Sequence, residues 1–291
     1  MSLMTDIQGT PERVWSLLNL IHAHGGEITR VAVKQWLDPF DSDPKDTAVT
    51  NTIGAATSLG LVSSSARAMK SELPECPKDL SAFSDLVHSR LAQVTSDHGD
   101  SVVLEAFAWF VARCAKESGT TWISQHSTNE LCDLIRHDIT VGTDDKRFNT
   151  TRYPRWRDWI GFIGLGVDIP GKGTTSFYPY VTECLEKQIS SLQAQLGTNK
   201  LEGQAFLAAI SKAMPYLDGG PLFEVAAKRI KWTPSPRQLS PVLSIALRDL
   251  HDEQIVELVM HGDARDAYTL AHDPTHKMRA FRTVVLQTQH G

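Results

Sequence analysis

The chain has 291 residues, 41% of them hydrophobic and 22% charged, the composition of a soluble globular protein with room for two or three domains. No apolar run approaches the roughly 20 residues that span a bilayer, so no membrane-spanning helix is expected. A formal net charge of -5 argues against a protein that coats nucleic acid, because such binding rests on Lys and Arg neutralising phosphates; it leaves room for one basic face.

The start, MSLMTDIQGTPERVW, has no basic region followed by an apolar one, so no signal peptide is expected. Thr10 and Pro11 open a first helix as cap and first helical residue. Val14, Trp15, Leu17, Leu18 and Ile21 mark its buried face, and Gly25-Gly26 ends it. Thr29 begins a second helix. Asp46 is expected to cap a third, closed by Gly60 and followed by a short strand at Leu61-Val62. That third helix offers Thr47, Thr50, Asn51 and Thr57 but no cation.

Ser71 to Asp79 is a linker. Leu80 to Val94 is an amphipathic helix, and Ser101 to Lys116 is a helix apolar on more than one side. Ser127, followed three residues later by Glu130, predicts a capping box at the start of a helix ending near His137, with Val141 to Asp145 as the following turn.

Lys146 to Tyr178 is the most informative stretch. Lys146, Arg147, Arg152, Arg155 and Arg157 crowd its start, with no acid between Lys146 and Arg157. Tyr153-Pro154 suits the first turn of a helix, since proline lacks a donor that has no intrahelical partner there. Trp156, Trp159, Ile160 and Ile163 form an apolar stripe at helical spacing. Gly164 and Gly166 stop that helix. Val167-Asp168-Ile169, the turn at Pro170-Gly171-Lys172-Gly173, and Thr175 to Tyr178 then predict a hairpin. A basic helix start followed by a hairpin with a lysine at its tip is the pattern of a winged helix-turn-helix facing a phosphate backbone. The residues expected to contact nucleic acid are Lys146, Arg147, Asn149, Arg152, Arg155, Arg157 and Lys172. The same cations also suit a solvated face paired with acids elsewhere in the chain.

Thr182 to Leu196 predicts a helix, and Gly197-Thr198-Asn199 a break. Further helices are expected over Glu202 to Leu217, Leu222 to Ile230, and from Ser240-Pro241 through Leu250. Ile255 to Met260 and Ala267 to Leu270 predict strand, turn and strand, with a last strand at Val284 to Leu286. The fold expected is mainly α with small β wings. It comprises tandem winged helix-turn-helix domains at residues 5–70, at 80–190 (a helical spacer plus the basic unit), and at 202–286.

Motifs of catalysis are lacking. The sequence has no phosphate-binding loop of the Walker type and no G-x-S-x-G elbow. Gly164-Leu165-Gly166 follows a helix and lacks the third glycine of a dinucleotide fingerprint. His272-Asp273-Pro274-Thr275-His276 has a central proline that denies two histidines one helix face, so no metal is expected there. Cys76, Cys114, Cys132 and Cys184 stand far apart. Cys114 and Cys132 sit in apolar helical patterns as small hydrophobes, which suits a reducing cytoplasm. No cofactor is expected, and the chain is expected not to be an enzyme.

The order winged helix, helical spacer, winged helix with the segment WRDWIGFIGLG, then winged helix resembles bacterial phage-defence accessory proteins. The family in question is that of the G component of 7-deazaguanine DNA-modification (Dpd) clusters. The resemblance implies an accessory subunit of a defence or modification system that works with a larger nuclease, helicase or modification machine. It brings no catalytic residue with it. Duplex DNA is the partner implied by the basic helix. A transcriptional regulator and a purely protein-binding winged-helix adaptor are the alternatives, the adaptor best matching the net negative charge.

Overall fold

Thr10 accepts a hydrogen bond from the Arg13 N–H, and Pro11 follows it at the first turn of helix α1, Pro11–Ala23. Gly25 and Gly26 then take φ of +78° and +93°, a left-handed backbone that favours glycine and ends the helix. In this computed structural model, residues 2–5, 8–40, 45–140, 147–170, 175–196, 198–260 and 266–287 are described. They are mainly helical, with small antiparallel sheets. The chain divides into two compact units, Met1–Val103 with Lys146–Ile163, and Leu104–Asp145 with Gly164–Gly291.

In the first unit, α1 is followed by strand β1 (Glu27–Thr29), helices α2 (Arg30–Leu37) and α3 (Thr47–Ser58), and strands β2 (Val62–Ser64) and β3 (Ala68–Ser71). The sheet order is β1-β3-β2, with Ile28 opposite Met69. Helix α4 (Leu80–Ala92), the start of α5 (Ser101–Lys116) and helix α7 (Tyr153–Phe162) complete the unit. Its core gathers Leu17, Leu18, Ile21, Val33, Ile53, Met69, Phe83, Trp156 and Trp159, all buried. Buried Asp100 accepts hydrogen bonds from Ser2 Oγ, from the Leu3 N–H and from Ser58 Oγ, joining the first residues to the end of α3. Asp46 departs from expectation. It stands before α3 with φ of +51° and makes no capping bond, and its carboxylate lies 2.9 Å from Lys34 Nζ instead.

The second unit holds the rest of α5, a 3₁₀ turn at Thr121–Gln125, α6 (Thr128–Ile139), β4 (Gly166–Pro170) and β5 (Thr175–Pro179). The capping box at α6 forms as its sequence predicts, with Ser127 and Glu130 exchanging bonds. β4 and β5 pair antiparallel as the expected hairpin. Then come α8 (Thr182–Leu196), β6 (Lys200–Glu202), α9 (Gly203–Ala213), α10 (Pro221–Arg229), α11 (Pro241–Asp252), β7 (Val256–Val259), β8 (Tyr268–Thr269), β9 (Ala280–Phe281) and β10 (Thr283–Leu286). α9 stops short of the expected Leu217 because Pro215 disfavours helical backbone at the residue before it; Met214 has φ of -125° and ψ of 75°. β7 and β8 do not pair with each other as expected. β7 pairs with β10, where Val284 and Leu286 are buried, and β8 pairs with β9.

One element order recurs. In the first unit it is α1, β1, α2, α3, β2, β3, with sheet order β1-β3-β2. Late in the second it is α8, β6, α9, α11, β7, β10, with sheet order β6-β10-β7 and α10 inserted. Between them run α5, the 3₁₀ turn, α6, α7, β4 and β5, the turn packing on β5 where the other series place a strand.

Candidate nucleic-acid interface

Phe148 is buried and meets the rings of Tyr153 and Trp156 edge-on, while Tyr153 and Trp156 stack on each other. Trp156 Nε1 donates to the Val103 carbonyl at 2.9 Å. This aromatic cluster fixes the first turn of α7 and the chain that leads into it. Asn149 starts the turn. Its side-chain Oδ1 accepts from the Arg152 N–H at 3.0 Å, and its carbonyl accepts from the N–H groups of Arg152 and Tyr153.

The arginines follow from that scaffold, and each is half-buried. Arg147 Nη1 donates to Ser101 Oγ at 2.9 Å. Arg152 is the residue immediately before the helix. Arg155 Nη1 donates to Asp158 Oδ2 at 2.7 Å, and Arg155 Nε is buried without a hydrogen-bond partner among the described residues. The Arg157 guanidinium lies 5.7 Å from the centre of the Tyr153 ring, within cation–π range. Asn149 and Arg152 thus precede α7, Arg155 sits in its first turn and Arg157 follows that turn, with Arg147 upstream. Lys146 and Lys172 lie outside the described residues, as does the tip of the hairpin.

Three partners of these cations, Ser101, Tyr153 and Asp158, were not expected from the sequence. The spacing of Arg155 and Asp158, three apart on one helix, was the available signal.

This end of α7 can hold an anion. The guanidiniums and the positive end of the helix dipole bring positive charge there, while the N–H groups of Arg152 and Tyr153 are taken by Asn149 and Pro154 has none. The first acid after Lys146 is Asp158.

Elsewhere the titratable groups do other work. Burial pushes the thiols of Cys114 and Cys132 up to about 12, so neither is a ready nucleophile. The two histidines of the His272 to His276 segment part company. His272 is exposed, whereas His276 Nε2 lies 3.0 Å from Asp252 Oδ2. Among the described residues no group of three or more His, Cys, Asp or Glu is placed to hold a metal ion. Among the same residues no helix is long and apolar enough to cross a membrane.

The family model described as DpdG-like matches residues 1–264. The chain belongs to the DpdG-like family. The match takes in the first unit, most of the second and the whole of the basic segment. No curated protein and no solved structure matches this DpdG-like chain. Its family membership accords with an accessory role.

Proposed function

We propose that this chain is a non-catalytic, cytoplasmic accessory subunit of a bacterial anti-phage defence or DNA-modification system. It contacts duplex DNA through the first turn of α7 and a larger protein machine through its other surfaces. The carrying observation is that Asn149, Arg152, Arg155 and Arg157 lie close together in the chain at the start of α7, ahead of the first acid after Lys146. Lys146 and Lys172, outside the described residues, are further candidate contacts. The recurring helix, strand and sheet order supports three winged helices, at 5–70, within 80–190, and at 202–286 with α8 and β6 joined to the last. In this reading α7 is the recognition helix of the middle winged helix.

The test is a salt-dependent titration of duplex DNA. Each phosphate contact contributes roughly -0.9 to the slope of log affinity against log salt. Changing Arg152, Arg155 and Arg157 together to alanine is expected to weaken binding and flatten the slope by about two to three units. The triple change of Arg30, Lys34 and Lys45 is expected to matter less. Thermal melting must show the variants folded, because the Arg157 guanidinium lies over the Tyr153 ring and Arg155 holds Asp158. An unchanged slope in the first variant overturns the reading.

The protein-binding adaptor is the second reading. It is favoured by the hydrogen bonds that Arg147 and Arg155 make within the chain and by the ring of Tyr153 under Arg157. In that case the triple variant loses a partner protein and no DNA.

A further inference from the structure

The second unit carries a groove of about 510 Å³, a volume in the range of ligand sites. One wall is α9. Gln204, Leu207, Ala208 and Ser211 line it, and their spacing of three, one and three puts them on one helix face. The other wall is the chain from Thr233 to Leu239. Pro234 and Pro236 stiffen that chain, and two hydrogen bonds pin it to β8. The Thr269 N–H donates to the Arg237 carbonyl at 2.8 Å, and the Leu239 N–H to the Thr269 carbonyl at 2.9 Å. Leu207, Phe223 and Leu239 give the groove a buried apolar floor. Walls ordered in advance remove much of the entropy cost of binding.

Charge is one-sided here. Asp218 and Glu224 both line the groove. Asp218 Oδ1 accepts from the Ser240 N–H and Oδ2 from Ser240 Oγ, each at 2.6 Å. Those donors are neutral. Desolvation raises the Asp218 pKa despite them, and Glu224 adds to the rise. A cation brought beside the two acids relieves that cost. The cation that lines the groove is drawn aside, since Arg237 Nη1 donates to Asp266 Oδ1 at 2.7 Å. Gln204 and Gln238 are exposed at the rim, and their amides can both donate and accept.

We propose that this groove takes an extended peptide of a partner protein, one apolar side chain against the floor and a lysine or arginine against Asp218 and Glu224. The proposal rests on the partner-binding part of the function proposed above and deepens it by naming the surface and the chemistry it recognises. From Gln204 to Ser211 the α9 wall runs about 10 Å at 1.5 Å per residue, the length of about three extended residues. The rim amides suit a peptide backbone. Phosphates are repelled by the same acids that attract the cation, so this groove and the basic start of α7 take different partners.

The experiment uses the full chain and a phage-displayed library of random seven-residue peptides. Selected peptides are then made as free fluorescein-labelled molecules and titrated. They are expected to share a Lys or Arg beside an apolar residue, and changing that cation to glutamate is expected to weaken binding more than about tenfold. Glu224→Gln is expected to weaken it about tenfold, and Ala208→Trp, which fills the groove from an exposed helix position, to abolish it. The peptide change leaves the protein untouched, so it decides the matter even if a protein variant melts early. A library that yields no binder, binders without a cation, binding that survives Ala208→Trp, or spermidine bound as tightly as the peptides each overturn the proposal. Duplex DNA affinity is expected to be the same in both protein variants as in the parent. A chain that binds DNA and no peptide keeps the α7 contact and loses this one; a chain that binds peptide and no DNA does the reverse.

Discussion

Arg155 Nη1 and Asp158 Oδ2 stand 2.7 Å apart on α7, one turn from each other. The arginine side chain is 14% exposed and the aspartate 50%, so the carboxylate is the half of the pair that meets solvent. It sets the charge that an approaching phosphate meets. Asp158→Asn keeps the shape and an acceptor while removing the repulsion. The expected result is a two- to fivefold gain in duplex affinity, about the scale of one exposed charge pair, with an unchanged melting temperature. Weaker or equal binding in the same titration counts against a phosphate at Arg155.

Arg229 reaches buried Glu105 at 2.9 Å and links α10 to α5. Arg229→Ala withdraws this partner from a carboxylate that is 7% exposed. A cost of about 1–3 kcal/mol is expected, read as a shift in the urea midpoint. Glu105→Gln retains an acceptor and is expected to cost less. Equal losses for the two variants indicate that packing, and not the charge, is what matters there.

Glu130 gives the pH dependence. Its carboxylate accepts from the Ser127 N–H and Ser127 Oγ, which holds its pKa below the ordinary glutamate value. A depressed folded pKa means that the stabilisation is complete above the unfolded value, roughly 4.3. It is lost as pH falls through the lowered folded value. Glu130→Gln is therefore expected to be less stable than the parent at neutral pH. The gap should close as pH falls below about 4. A gap that persists at pH 3 shows that the carboxylate's charge is not involved.

The thiols offer a test of burial. Cys114, Cys132 and Cys184 are buried and Cys76 is half-exposed. With Cys114 and Cys132 raised to about 12, a disulfide reagent at about pH 8 meets almost no thiolate at either. The native protein is expected to react at Cys76 only, and Cys76→Ser to be silent until denatured. Fast labelling of a second thiol in the native state contradicts the packing of α5, α6 or α8.

Local punctuation made most helices legible. Thr10-Pro11, Ser127 with Glu130, and Ser240-Pro241 each open the helix expected of them, because a cap is made between neighbours in sequence. The three-residue strands β1 and β6 were missed. Each exists only because a distant strand, β3 or β10, pairs with it, and three residues are too few to show an alternating pattern. The partner of β7 was mistaken for the same reason. In the candidate site the cations were plain to read. The Ser101 that receives Arg147 lies 46 residues away, beyond the reach of spacing arguments.

The position of α8 bears on how the chain can be cut. Leu185 and Ile189 are buried, and α8 packs along α11. Tyr180 Oη and Thr182 Oγ1 both donate to Asp249 Oδ2 on α11, at 3.0 and 2.9 Å. A truncated chain that begins at the break before β6 strips α11 of that cover and leaves its apolar flank to water, so such a fragment is expected to aggregate on expression. One that begins upstream of Tyr180 keeps the helix and both hydroxyls, and is the piece to ask for when the C-terminal region is to be studied by itself.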